Sequence, residues 1–159
     1  MNEADVTGFL DAKGIGYELF RHPAVFSAND GLPEGIGHPD AVTKNLFLRD
    51  DKRQNRYLVV MPIAVRANLK ALAAAIPSRH LSFVPEDELQ ATLGVSHGSV
   101  TPLALLAAPS AAVAVIDARL LNGLVGVHPL HNEATLFLLC ADLMTLLEDN
   151  GTTVMVANL

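Results

Sequence analysis

Apolar positions along this chain recur in two rhythms, period 3.6 and period two, and the switches between them lay out the elements. Val6, Phe9 and Leu10 keep helical spacing, Glu3 and Asp5 suit a first turn and Gly14 a helix end, which predicts a helix over residues 3–13. A strand over 15–21 follows and ends at His22-Pro23. Ser27 can cap a short helix over Ala28 to Glu34, and Gly31, Pro33, Gly35, Gly37 and Pro39 then make a loop. Val42 to Leu48 and Arg56 to Met61 read as a hairpin whose charged connection, Arg49 to Asn55, is expected to be solvated. Leu69, Leu72, Ala73 and Ile76 mark an amphipathic helix over Asn68 to Ile76. A short strand at Leu81 to Val84 leads into a helix that starts at Pro85 and is closed by Gly94. After the loop His97 to Pro102 come a short helix from Leu103, a buried strand over Ala112 to Ile116, a helix from Ala141 to Asp149 and a strand over Thr152 to Ala157.

The stretch Asn122 to Thr135 organises the rest. Asn122-Gly123 is a tight turn into an apolar strand, Leu124 to Val127, which stops at His128-Pro129 and resumes as Ala134 to Leu139. Pro129 has no N–H and a fixed φ, so the strand must break there. The break leaves His128, His131 and Asn132 at a sheet rim, where polar groups can converge on a ligand. Strands and helices interleave and several neighbours look antiparallel, so the expected fold is one α/β or α+β domain on a mixed sheet.

Composition narrows the class. The chain has 159 residues, half of them apolar and 18% charged, which excludes a disordered or fibrous chain and leaves room for a substantial core. A net charge of −6 argues against salt-driven binding along a nucleic-acid duplex; an RNA ligand would be gripped at a short end. Cys140 is the single cysteine, so no internal disulfide forms. The start lacks the basic and apolar regions of a signal peptide, and the longest apolar stretch, Pro102 to Ile116, is interrupted at Pro109-Ser110 and falls short of the ~20 residues of a membrane span. The expectation is a cytoplasmic protein without a membrane or DNA partner.

Three places carry candidate chemistry. Lys44 shares its strand face with Val42, Leu46 and Leu48, where an ammonium either meets an anion or snorkels from a wet strand end. Gly98 to Pro102 offers free N–H groups in a loop that opens a helix, the geometry that stabilises an oxyanion; an ordinary turn is the bland reading. His128, with Asn132 nearby, can move a proton or hold a water, or it is a structural histidine before a proline. No G-x-S-x-G elbow makes Ser99 a nucleophile, no H-E-x-x-H or second ligand pair joins His128 and His131 into a metal site, and no glycine-rich nucleotide loop is present. Neither metal nor cofactor is expected, and Cys140 reads as an inert buried thiol.

Thr43-Lys44-Asn45 followed by L-F-L, Gly98-S-V-T-Pro102, and His128-P-L-x-Asn132 followed by E-A-T occur together in one chain. In that combination the sequence resembles the YbaK-type aminoacyl-tRNA deacylases, the prolyl-tRNA-synthetase-associated domain family, and among them the free-standing prolyl-tRNA editing proteins. The resemblance implies a largely antiparallel mixed sheet curled into a partial barrel with flanking helices. It also implies hydrolysis of the ester joining a small amino acid, alanine first, to the terminal ribose of a tRNA for proline. Lys44 would hold the phosphate or 3′ end of the terminal adenosine, Gly98 the carbonyl oxygen, and His128 the substrate or water. Asn45, Ser99, Thr101, Pro102 and Asn132 would line the substrate, and the 2′-hydroxyl of the tRNA would assist water in place of a side-chain nucleophile. A prolyl-tRNA synthetase is the protein partner the family suggests. Removal of cysteine or serine instead, and a non-catalytic module for aminoacyl-tRNA ends, are the alternatives. His131 inside the third motif and the charged Arg49 to Asn55 loop have no assigned role.

Overall fold

A computed structural model describes residues 1–25 and 30–159. The helices are α1 (Glu3–Ala12), α2 (Leu69–Ala75), α3 (Glu86–Leu93) and α4 (Cys140–Asp149). The strands are β1 (Glu18–Arg21), β2 (Thr43–Asp50), β3 (Arg56–Pro62), β4 (Leu81–Phe83), β5 (Val113–Asp117), β6 (Leu124–Val127), β7 (Ala134–Leu139) and β8 (Val154–Ala157).

They form two sheets instead of one. The smaller has the order β1-β7-β6 and is antiparallel throughout. The larger has the order β4-β2-β3-β5-β8, antiparallel on the β4-β2-β3 side and parallel on the β3-β5-β8 side. They meet at the start of β2: Val42 bridges Gly126 in parallel, and the Thr43 hydroxyl donates to the Gly126 carbonyl at 2.8 Å. This α+β arrangement curls as a partial barrel and does not close. Gly126 is required there, because a Cβ would lie 2.6 Å from the Phe137 ring carbon Cε1 and 3.0 Å from Thr135 Cγ2.

Helix ends follow the sequence closely. Asn2 caps α1 and forms a capping box with Asp5, Asn68 caps α2 by accepting from Ala71 N–H, and Gly94 ends α3 at φ +68°. Two strands begin later than their apolar pattern suggests, for one reason. Ile15 N–H donates to Leu10 O and Thr152 N–H to Leu147 O, so both residues close the preceding helix and are lost to the strand. The expected helix over Ala28 to Glu34 falls partly on residues outside the description, as does its Ser27 cap, and Gly31 to Pro33 are not helical.

The Arg49 to Asn55 connection is not simply solvated. Arg49 and Asp50 extend β2, and buried Asp50 accepts from Gln54 N–H at 2.8 Å and from Asn55 Nδ2 at 2.9 Å, closing the loop on itself. Arg49 and Arg56 both pair with Glu88 of α3, and Arg79 pairs with Asp51. One large core fills the space between both sheets, α1, α3 and α4, while a second lies under α2 around Leu48, Met61 and Leu72. Cys140 is in the large core, and burial pushes its thiol up to about 11, which keeps it unreactive.

Candidate active site

Where the two sheets join, a cavity of about 110 Å³ opens between the start of β2, the ends of β1 and β6, the start of β7 and the His97 loop. Lys44, Asn45, Gly98 and His128 all line it. Lys44 and Asn45 leave opposite faces of β2, so the cavity wraps the beginning of that strand. Ser99, Thr101, Pro102 and Asn132 do not line it. Thr101 is fully buried and its hydroxyl accepts from Leu103 N–H, capping the 3-10 turn Pro102–Leu106, while Ser99 N–H closes on Ser96 O. Asn132 acts one step back: its Nδ2 donates to Val25 O at 3.0 Å and Val25 N–H returns to Asn132 O, which fixes a residue of the cavity rim.

Lys44 has neither an ion pair nor a hydrogen bond among the described residues, and burial lowers its pKa. An ammonium left without an anion beside a cavity is open to one that a ligand brings. Asn45 Oδ1 is likewise enclosed and without a partner. The N–H groups of Gly98 and Val100 also find no acceptor among the described residues, although both residues line the cavity. His97 holds that turn in place: its N–H and Nδ1 both meet Glu86 Oε2, at 3.1 and 2.9 Å, and its Nε2 lies 3.2 Å from Val84 O.

The histidine corner has definite tautomers. His128 Nδ1 lies 3.0 Å from the Ala134 carbonyl, which only accepts, so Nδ1 carries the hydrogen and Nε2 keeps its lone pair. Nε2 has no partner among the described residues. Burial, opposed by that hydrogen bond, lowers the pKa of His128, and the ring is neutral at pH 7. His131, without a role in the sequence reading, ties the corner to α1: its Nδ1 accepts from Glu133 N–H, and its Nε2 donates to Glu3 Oε1 at 2.8 Å. Glu3 in turn takes both terminal nitrogens of Arg21. Leu130 turns the corner with φ +75°, a left-handed value that this network and Pro129 hold. Histidines 128 and 131 thus face different partners, and no group of three or more metal-ligating side chains occurs among the described residues.

His22 is the residue that sequence reasoning missed. It lines the cavity, with Nδ1 2.8 Å from Pro23 O, Nε2 2.8 Å from the Thr135 hydroxyl and its ring centroid 6.4 Å from that of His128. The available signal was the repeat of a His-Pro dipeptide at two strand ends, His22-Pro23 and His128-Pro129.

The aminoacyl-tRNA editing domain model matches residues 22–146, which include the whole cavity. The chain belongs to that family. It is 38% identical over 146 residues to the prolyl-tRNA editing protein ProX of Acetoanaerobium sticklandii, covering 91% of this chain and 89% of the relative. It is 32% identical over 154 residues to the prolyl-tRNA synthetase associated domain-containing protein 1 of Bos taurus, covering 94% and 90%. A solved structure of a candidate trans-editing enzyme for prolyl tRNA synthetase superposes with a TM-score of 0.73 over 99% of this chain and 96% of that one; at 20% identity this likeness bears on the fold alone. The family member is thus an aminoacyl-tRNA editing hydrolase, and no helix among its described residues is long and apolar enough to cross a membrane.

Proposed function

We propose that the cavity takes the 3′ end of a mischarged tRNA for proline and hydrolyses its alanyl ester. The observation that carries this reading is the unpaired Lys44 ammonium beside a small cavity whose lining also offers two unpaired N–H groups, at Gly98 and Val100. A terminal adenosine brings a phosphate for the first and an ester carbonyl for the second.

Water adds to the carbonyl carbon as the carbonyl oxygen becomes an oxyanion, which the free N–H groups of the 97–100 turn receive. His128 Nε2, neutral and unpaired, accepts a hydrogen bond from that water and orients it. The tetrahedral intermediate then collapses: the bond from carbon to the ribose oxygen breaks, the proton given up by the attacking water reaches the departing oxygen through the neighbouring 2′-hydroxyl, and alanine and tRNA leave. The threonine hydroxyls that line the cavity, Thr43 and Thr135, are buried and already engaged with Gly126 O and His22, so attack by water from the substrate side is favoured.

Selection rests on exclusion. A methylene is worth about 1–3 kcal/mol in an apolar pocket, so a cavity of about 110 Å³ discriminates better by refusing a prolyl ring than by attracting a methyl group. The test is hydrolysis of alanyl-, cysteinyl-, seryl- and prolyl-tRNA by the wild type and by Lys44→Ala. Rapid loss of alanine alone, abolished in the variant, supports the assignment. Loss of cysteine or serine at the same rate replaces alanine with another small residue. Tight binding of all four without turnover identifies a binding module and ends the enzymatic reading. A net acidic chain with an unpaired, half-buried cation at its cavity fits a protein that grips only the acceptor end; a prolyl-tRNA synthetase partner would supply the remaining contacts to the tRNA.

A further inference from the structure

The start of β7 is bracketed by two imidazoles. β1 and β6 lie on either side of β7, and each ends in a His-Pro dipeptide at the same edge of the small sheet. From β6, His128 Nδ1 donates to the Ala134 carbonyl; from β1, His22 Nε2 meets the hydroxyl of Thr135, the next residue. Both rings line the cavity with their centroids 6.4 Å apart. His22 is held on both sides, because Pro23 O fixes its Nδ1–H and leaves Nε2 to the Thr135 hydroxyl. We propose that His22 is a positioning residue of the site, which acts on the substrate through His128 and keeps that ring's Nε2 free to hold water. This inference rests on the hydrolytic reading above.

The physical basis is charge as well as placement. An imidazole that takes up a proton 6.4 Å from His128 opposes protonation of the second ring, and His22 is among the groups that lower the pKa of His128. Among the described residues, Lys44 from β2 and His97 from the neighbouring turn line the same cavity, and His131 of the same corner turns its Nε2 to Glu3. Of these, His22 is the one with its ring packed against that of His128 and both its nitrogens committed to partners at the same sheet edge. A plain structural role for His22 would only hold the strand ends; a positioning role extends the acid limit of hydrolysis.

His22→Gln tests this, with His22→Phe as the variant that keeps the ring volume should Gln disturb the fold. NMR titration of the His128 ring is read beside the pH–rate profile for alanyl-tRNA. The expected result is a His128 midpoint at higher pH in the variants. Hydrolysis should slow more at about pH 6 than at about pH 8, by a ratio of roughly three, the factor that half a pH unit gives on an acid limb. An unchanged His128 titration with a rate loss equal at every pH overturns the inference. A shifted titration in a protein that hydrolyses nothing leaves the coupling of the two rings intact and removes the hydrolytic reading instead.

Discussion

The two walls of the cavity are built on opposite terms. On the histidine side nearly every polar group is satisfied by the protein: His22 by Pro23 and Thr135, His128 Nδ1 by Ala134, His131 by Glu3 and Glu133, Asn132 by Val25. Of the three imidazoles, His128 alone keeps a ring nitrogen, Nε2, without a partner among the described residues. At β2 and the 97–100 turn, Lys44 and the N–H groups of Gly98 and Val100 have no partner among the described residues, and Asn45 Oδ1 is enclosed without one. One wall is therefore a rigid instrument and the other a set of unfilled valences. A group kept unsatisfied costs stability in the free protein and is open to a partner that a ligand brings.

The sharpest way to break that contrast is Lys44→Ala. If the ammonium holds substrate, kcat/KM for alanyl-tRNA falls about 10²–10³-fold, the scale found when one electrostatic donor is removed from an active site, while the melting temperature is unchanged or higher. A large loss of stability would show that Lys44 belongs to the scaffold. Next in size is Gly126→Ala, which attacks the join between the sheets. The new methyl meets Phe137, itself 1% exposed and unable to yield, and overpacking of this kind costs about 1–3 kcal/mol. Thermal unfolding reads the cost, and both walls should loosen together. Asn45→Leu separates the two properties: removing an unpaired buried oxygen should raise the melting temperature by about 2–4 °C, the effect of ~1 kcal/mol in a chain of this size, while hydrolysis drops. A variant both less stable and less active would place Asn45 with the satisfied wall.

Legibility in the sequence divides along the same line. Proline and glycine punctuate the chain so firmly that β6 and β7 begin and end where the pattern puts them, and the caps Asn68 and Gly94 are local chemistry. The division into two sheets was not visible. How the two sheets meet involves long-range contacts of Val42 and Thr43 with Gly126 that no periodicity encodes. At the site, Lys44 stood out as a cation on an apolar face, a conflict detectable in the strand alone. His22 did not, because His38-Pro39 has the same local pattern and a different fate: its ring packs edge-on against Phe137 and its Nε2 meets Glu18. Three His-Pro dipeptides look alike in sequence, and only tertiary packing sends two of them to the cavity. Thr101 was misleading in the opposite sense, since a hydroxyl in a loop before a helix serves the helix as readily as a ligand.

The smallest expected effect lies at the outer support of the histidine wall. Arg21 and His131 hydrogen-bond to the Glu3 carboxylate and hold its pKa below the usual value of 4.5. A depressed carboxylate contributes stability that is fully present above its unfolded pKa and is lost as pH falls through the lower folded value, so this network weakens on the acid side only. Glu3→Gln should flatten part of the decline in melting temperature between about pH 5 and about pH 3, leaving the share due to Asp50, Asp117 and Glu88, whose pKa values are also lowered. Because Arg21 is largely exposed, the change in stability near neutrality should be minor. Hydrolysis is the more telling readout. If the corner is rigid only through Glu3, releasing His131 lets Leu130 leave its left-handed conformation, and His128 loses its aim. A variant with a wild-type rate at neutral pH would show instead that Pro129 and the Ala134 carbonyl suffice to hold the imidazole, and that the ion pair is an ornament of the surface.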